Sequence, residues 1–244
     1  MPKAAAVETQ DMFDKNAPLD LTTTGGAEVM KAEEYAEMFD IKENMEGIDV
    51  RLPQIGIVHQ AQIFRMPDDE KVEKFTGIIL DTNNVNAWWK ISFDESGGGS
   101  PPECFSNNGI QPSGLCNEPQ AQWCSKCEQN KFGSAGRGKA CKNMKRIHIR
   151  MADAYLPYRL TLPPSNLRPI SDYITNLSAK GLPYQGVFTE FSLKPTQNKE
   201  GIQFSLLKCT MKSMLDRDTA LSIKKEREEM LSVMRDQEVG AEEV

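Results

Sequence analysis

The 244 residues carry 29 Lys and Arg against 35 Asp and Glu, a formal net charge of −6, with 39% hydrophobic and 26% charged residues. Such a chain is long enough for one large or two small domains, and its acidic balance argues against indiscriminate binding to nucleic acid. No apolar run approaches the roughly 20 residues that span a bilayer, and Met1-Pro-Lys-Ala-Ala-Ala-Val7 lacks the apolar centre of a signal peptide, so the expectation is a cytoplasmic protein with no membrane partner.

Residues 1–28 are small and polar, with Thr22-Thr-Thr-Gly-Gly26, and read as a disordered arm. Residues 29–46 place Val29, Met30, Tyr35, Met38, Phe39 and Ile41 near helical spacing, a short amphipathic helix. The period then changes to two. In Leu52 to Phe64, the residues Ile55, Ile57, His59, Ala61 and Ile63 alternate with polar neighbours, which predicts a strand with His59 as a core histidine. Phe75 to Leu80 predicts a second strand, Asp81-Thr-Asn-Asn84 a turn, and Ala87 to Phe93 a third strand. Three strands joined by polar turns suggest an antiparallel meander or barrel.

Residues 95–143 break that pattern. The run Glu95-Ser-Gly-Gly-Gly-Ser-Pro-Pro-Glu103 leads into five of the six cysteines: Cys104, Cys116, Cys124, Cys127 and Cys141. Cys124-Ser-Lys-Cys127 has the spacing that lets two thiolates face one ion from a tight turn. Cys104 and Cys141 stand at borders between loop and strand-like sequence, and with the CxxC they complete a four-thiolate set. Cys116 lies in a Pro- and Gly-rich turn and is the spare. Four thiolates suit tetrahedral Zn2+, and an iron–sulfur cluster would use the same ligands. The loop has little to bury, so a metal staple is the expected source of its order.

Beyond it, Met144 to Met151 alternates Met144, Arg146, His148 and Arg150 against Lys145, Ile147, Ile149 and Met151, a strand with one cationic face. Tyr155 to Leu162 reads as a strand interrupted by Pro157. Ile170, Tyr173, Ile174 and Leu177 predict a helix over Leu167 to Lys180, capped by Ser165 or Ser171 and ended by Gly181. Val187 to Lys194 and Ile202 to Thr210 flank a polar tip and predict a hairpin, with Cys209 a buried apolar residue. Asp218 or Thr219 starts a last helix through about Arg235. The expected architecture is therefore mainly β with peripheral helices (α+β): an OB-like antiparallel barrel over 29–235, a four-cysteine zinc-loop insertion at 95–143, and an acidic tail over 236–244.

There is no Ser-His-Asp order, since only His59 and His148 exist, no phosphate-binding P-loop and no dinucleotide-binding glycine pattern. A zinc deaminase would need a His-x-Glu pair, which is absent. The expectation is a protein that is not an enzyme. Binding is better supported. From Lys126 to Arg150 the basic residues Lys126, Lys131, Arg137, Lys139, Lys142, Lys145, Arg146 and Arg150 face Glu128 alone, and aromatics lie beside polar or basic residues: Trp88 and Trp89 with Lys90, Trp123 with Lys126, Phe132 with Lys131. Unpaired bases stack on such rings for about 1–3 kcal/mol each. The expected partners are single-stranded DNA and, through the acidic C-terminal tail, replication or recombination proteins. A zinc-stapled protein–protein interaction module, or a subunit of a replication complex, is the alternative.

Phe75-x-Gly-Ile-Ile-Leu-Asp81, Asn86-Ala-Trp-Trp89, Pro101-Pro-Glu-Cys104, Cys124-x-x-Cys127, Phe132-Gly133, Gly138-Lys-Ala-Cys-Lys-Asn143, Leu162-Pro-Pro164, Gly181-Leu-Pro-Tyr184 and Phe191-Ser-Leu193 together resemble a family of uncharacterised phage- and mobile-element-encoded zinc-containing proteins. The resemblance covers about residues 50 to 210. It implies four of the cysteines as ligands, with Cys116 outside the pattern, and a phage-encoded protein in a bacterial host cell. It implies no biochemical activity.

Overall fold

The computed structural model describes residues 43–91, 100–152, 154–197, 201 and 203–240. The chain divides into 1–49 and 50–244. Of the first unit only 43–49 are described, with a short 3-10 turn at Glu43–Met45. The expected arm over 1–28 and most of the helix expected over 29–46 lie outside the described residues.

In the second unit nine strands make one curled, mixed sheet, a half-barrel. They are β1 Gln54–Val58, β2 Ile63–Arg65, β3 Lys71–Val72, β4 Lys74–Trp88, β5 Cys104–Ser106, β6 Lys142–Arg150, β7 Tyr158–Leu162, β8 Val187–Gln197 and β9 Gln203–Met214. Their order is β3-β2-β1-β7-β6-β4-β8-β9, with β5 added to β4. The α+β expectation holds at this level. The all-antiparallel expectation is corrected: β1 runs parallel to β7, with Gln54 opposite Arg159 and Ile55 opposite Leu160. The Arg159 N–H donates to Pro53 O at 2.7 Å, which berths β1 alongside β7 in that direction.

Two strand predictions change. Leu52 to Phe64 is two strands, because the chain turns back after Val58 with Gln62 at φ +58°. The strand expected over 75–80 and the first two residues of the one expected over 87–93 are one strand, since β4 runs unbroken through the expected turn at Asp81–Asn84 and ends at Trp88; 89–91 are not strand and 92–93 lie outside the described residues. A β-bulge between Ile79 and Asp81 marks the place. The extra residue turns both Leu80 and Asp81 toward the same face. Gly77 is required where β4 passes β6: a Cβ there would stand 2.5 Å from Ile149 Cγ2 and 3.0 Å from the Arg150 carbonyl.

Alternation then sorts the two faces. Ile55, Phe64, Ile79, Ile147, Ile149, Leu160, Leu162 and Phe191 form the main core on one face, closed by Ile170 of helix α1, Leu167–Ser178. Each such side chain contributes about 2 kcal/mol on burial. Phe75 stacks on Phe191 with centroids 4.8 Å apart and meets Phe64 edge-on at 4.9 Å. Neither Ser165 nor Ser171 caps α1. Asn166 precedes it and is fully buried, but its amide ties β9 instead, accepting from Leu207 N at 2.6 Å and donating to Ser205 O at 3.3 Å. Gly181, at φ +73°, ends this segment as expected, with Leu182 N donating to Leu177 O.

Helix α2, Arg217–Arg235, covers part of the other face, where Ile223 and Met234 meet Leu52, Ile78 and Leu80. Asp216 caps it, accepting from Asp218 N at 3.0 Å and Thr219 N at 2.9 Å. The residues after α2 continue across the sheet as a strap. Gln237 accepts from Leu52 N and donates to Val50 O and Val233 O, each at 2.9 Å. Val239, 3% exposed, packs with Val85, Ala87, Phe105 and Met144. Residues 236–240 of the expected acidic tail thus dock on the sheet through Gln237 and Val239; 241–244 lie outside the described residues.

Candidate functional site

The cysteine loop hangs from the end of β4. Cys104 on β5 pairs across from Trp88. The two short 3-10 turns Cys124–Lys126 and Glu128–Asn130 fold the CxxC back. Cys124 N donates to Ile110 O and Cys141 N to Gln129 O, each at 2.8 Å. These bonds bring Cys104, Cys124, Cys127 and Cys141 to line one cavity of about 20 Å3, with Trp88, Phe105 and Asn130 among its walls. That is room for about one water-sized sphere. All six cysteines are free thiols. Burial, then the neighbouring sulfurs of Cys124, Cys127 and Cys104, push the Cys141 thiol up to about 12. Burial also raises Cys104 to about 11, with Cys116 and Cys124 adding to the rise and a backbone hydrogen bond from Gln120 opposing it. As placed, no group of three or more Cys, His, Asp or Glu among the described residues is arranged to hold a metal ion. The four sulfurs share a cavity without forming a finished cage.

Asparagines fasten this loop to the sheet. Asn83 donates to Asn107 O at 2.8 Å and Asn86 to Gly109 O at 3.4 Å. Asn143 Nδ2 donates to Asn86 Oδ1 at 2.7 Å and Asn130 Oδ1 at 3.0 Å, and Lys139 Nζ reaches the Oδ1 atoms of both Asn130 and Asn143. Of the polar residues on β4, Asn83 and Asn86 are therefore strand residues whose side chains are spent on the loop. Beside it, Thr82, Asn83, Asn84, Asn107, Asn108, Ser113, Arg235 and Asp236 line an open polar cleft of about 530 Å3.

The residues expected to contact nucleic acid separate into two groups. Trp88 lines the thiol cavity, and Trp89 packs against the Val85–Val239 cluster with its Nε1 donating to Ser100 O at 2.9 Å. Lys90 pairs with Glu118 at 3.4 Å. Lys139 is tied up as above, and Lys145 donates to Asn84 Oδ1 at 2.8 Å, with burial lowering its pKa. Arg146 is 0% exposed and donates to the carbonyls of Gln237 and Glu238 at 2.8 and 3.0 Å. Arg150 pairs with Glu226 of α2 at 3.1 Å. The cationic face of β6 is real, but α2 and the strap cover it, so Arg146 is corrected from surface track to interior and Arg150 to a partly buried partner of Glu226. The second group stays at the surface of the loop: Trp123 is 41% and Phe132 80% exposed, and Lys131, Arg137 and Lys142 are exposed near them in sequence. Lys131 pairs with Glu128 at 2.6 Å, both well exposed, so the pair is readily exchanged for another anion.

Under the strap lies a polar cluster that the sequence did not announce. Asp81 is 1% exposed and receives Arg227 Nη2 at 2.8 Å, Arg235 Nε at 2.9 Å and Arg235 Nη2 at 3.2 Å. His148, opposite Asp81 in register, is fully buried with Nε2 3.1 Å from Asn83 Oδ1. Burial and the Arg146 guanidinium hold its pKa down to about 3. It is a neutral structural histidine. His59 is half-buried and is also structural: its Nδ1 accepts from Ser205 N and its carbonyl from Ser205 Oγ. Cys209 is a remote thiol that burial raises to about 12.

Comparison of the chain with protein-family models, with curated proteins and with solved structures gives no match.

Proposed function

We propose that this protein is a non-enzymatic binding module that takes single-stranded DNA on its cysteine loop, with a metal ion as the staple of that loop. The observation that carries the reading is the exposure of Phe132 and Trp123 on a loop that also carries the exposed Lys126, Lys131, Arg137 and Lys142, whereas the nearby Trp88 and Trp89 are half-buried and Phe105 is buried. Exposed rings beside cations suit unpaired bases and their phosphates. The binding surface is smaller than the sequence suggested, because Arg146 is buried and Arg150 is paired with Glu226. Cys104, Cys124, Cys127 and Cys141 would hold Zn2+. Four sulfurs around one small cavity supply the donor set, and the closing of that set belongs to metal binding. The ion would order the loop and take no part in chemistry. An OB-like relationship of the half-barrel, a phage origin, a role in replication or recombination and a cytoplasmic setting in a bacterial host complete the proposal; the origin and setting rest on the resemblance of the sequence motifs, and the role on the single-strand reading.

A second reading, a protein-docking loop, is favoured by the exposed aliphatic residues Ile110 (59%) and Leu115 (62%) on the same loop. Titrating labelled single- and double-stranded oligonucleotides at two salt concentrations, with metal content measured on the same sample, separates the two. The proposal expects single strands to bind at low salt, more tightly than duplex, and to weaken as salt rises. No uptake of single strands at low salt by the zinc-loaded protein would sink it.

A further inference from the structure

α2 does not cover the whole of its side of the sheet. Its cover ends at Ile78 of β4 and Phe188 of β8, which belong to the cluster around Ile223 and Met234. Beyond that row β4, β8 and β9 run on side by side. Lys74 stands opposite Ser192, and Ser192 opposite Lys208; one row nearer α2, Thr76 stands opposite Glu190 and Glu190 opposite Thr210. Lys194, two residues past Ser192, points to the same side. Lys212 joins them through its bond to Glu190 at 3.3 Å, and Lys74 reaches the same carboxylate at 3.9 Å. These strands thus turn four lysines and a single carboxylate to this side, in a chain whose formal charge is −6. All four lysines are exposed, as are Thr76 and Thr210. Neither Lys194 nor Lys208 has a carboxylate partner among the described residues.

We infer that this lysine face is a second contact for nucleic acid, one that holds phosphates and is blind to bases. It rests on the single-strand reading of the cysteine loop for its ligand, but not for its site. Lysine ammoniums neutralise phosphates and release their counterions, and serine and threonine hydroxyls donate to phosphate oxygens. Neighbouring strands lie about 4.8 Å apart, so Lys74 and Lys208 flank the Ser192 hydroxyl about 10 Å from each other, and Lys194 follows about 7 Å along β8. The apolar residues on this side, Phe204 and Leu206, are half-buried toward the hairpin tip, so no exposed ring stands among the lysines for a base to stack on. A protein partner would draw its affinity from aromatic or aliphatic anchors buried at the centre of the contact. The centre here is polar, and a phosphate chain asks for nothing else. β4 links the two contacts, with Lys74 at its start and Trp88, where the cysteine loop hangs, at its end. That strand is about 46 Å long when fully extended, so a long single strand can meet both the lysines and the exposed rings.

The test uses the full chain, purified with zinc, and titrates labelled poly-dT and a mixed-sequence duplex over a series of salt concentrations. Wild type is compared with Lys194→Gln/Lys208→Gln, with Phe132→Ala on the loop, and with Arg168→Gln/Lys180→Gln, which removes the same charge at α1 on the opposite face of the sheet. The lysine pair is expected to flatten the slope of log affinity against log salt by about 1.4 for the single strand, about 0.7 for each phosphate contact removed, and to weaken single strand and duplex alike. Phe132→Ala should lower the preference for single strands and leave the slope unchanged. The α1 pair should match wild type. Should Lys194→Gln/Lys208→Gln fail to fold, Lys74→Gln/Lys212→Gln removes the other two cations of the same face and is read in the same way. An unchanged slope in the lysine pair, with single strands still bound, would overturn the inference and leave the loop reading standing. Duplex bound through these lysines, with single strands bound no better, would uphold the face and sink the loop. No uptake of either nucleic acid at low salt overturns both. Capture of poly-glutamate but not of DNA would assign the face to an acidic protein and overturn the inference as well.

Discussion

The half-barrel and the cysteine loop solve the same problem by different means. The sheet buries Ile79, Ile147, Ile149, Leu160, Leu162 and Phe191 with 0% exposure and gains its order from apolar burial that no ligand need supply. The loop between β5 and β6 buries little besides Phe105 and its own thiols, and is held by side-chain amide hydrogen bonds from Asn83 and Asn86 to its backbone and from Asn143 to Asn130. Such bonds contribute about 1 kcal/mol each, net of what water offered. The contrast teaches where control can reside. Conditions that act on sulfur or metal should loosen the loop and spare the sheet, while conditions that act on the buried polar cluster should do the reverse.

The largest expected effect tests the loop side. Cys141→Ser should abolish zinc retention, since structural zinc binding in small domains amounts to about 10–16 kcal/mol of apparent free energy. Hydrogen exchange should then speed up over 104–141 and stay slow in β6 and β7. Uniform loss of protection across the sheet would erase the contrast. On the sheet side, Asp81→Ala strands the Arg227 and Arg235 guanidiniums beside a buried hole. It should cost about 3 kcal/mol in urea unfolding, at the low end for a broken buried pair because Arg235 is half exposed, and leave metal content unchanged. Gly77→Ala drives a methyl into Ile149 and should cost about 2 kcal/mol.

His148 gives a pH handle on the same side. Its folded pKa is depressed to about 3, so the unfolded chain takes up a proton that the folded one refuses. The stability it contributes is fully present above about pH 6.5 and is lost as the pH falls toward 3. At pH 5 the loss should be about 2 kcal/mol. In His148→Gln the difference between the urea midpoints at pH 7.5 and pH 5 should shrink, and an unchanged difference would show the histidine is not buried neutral. The smallest expected change in stability is at the binding surface. Phe132→Ala should leave the melting temperature within a degree or so and weaken single-strand binding by about 1–3 kcal/mol.

How much of this could be read from the sequence follows the physics of each part. The alternation of Ile147 and Ile149 against Arg146 and His148 gave the strand and both its faces. It did not reveal that the cationic face is covered, because the cover arrives from residues 217–239, far along the chain. The run Asp81-Thr-Asn-Asn84 reads as a turn when polarity is taken to mean solvent. Here it means buried partners, namely Arg227 and Arg235 for Asp81 and the loop backbone for Asn83. CxxC spacing and loop composition pointed to four sulfurs that line one cavity, since local geometry decides that much. The seat of Cys116 on the Phe105 backbone depends on the turn through Ser113, which spacing alone does not encode.

The Gln237 clamp has a consequence for how the chain is made. Its side chain closes onto the backbone of Val50 and Leu52, 185 or more positions earlier. During synthesis the segment leading into β1 and Arg146 of β6 must wait for residues 237 and 238 before their polar groups are sealed. Assembly of this face is therefore a late event in folding, governed by long-range closure rather than by local helix or hairpin formation. Ribosome-stalled chains ending near Met230 should carry an open arginine-lined surface that the finished protein never presents.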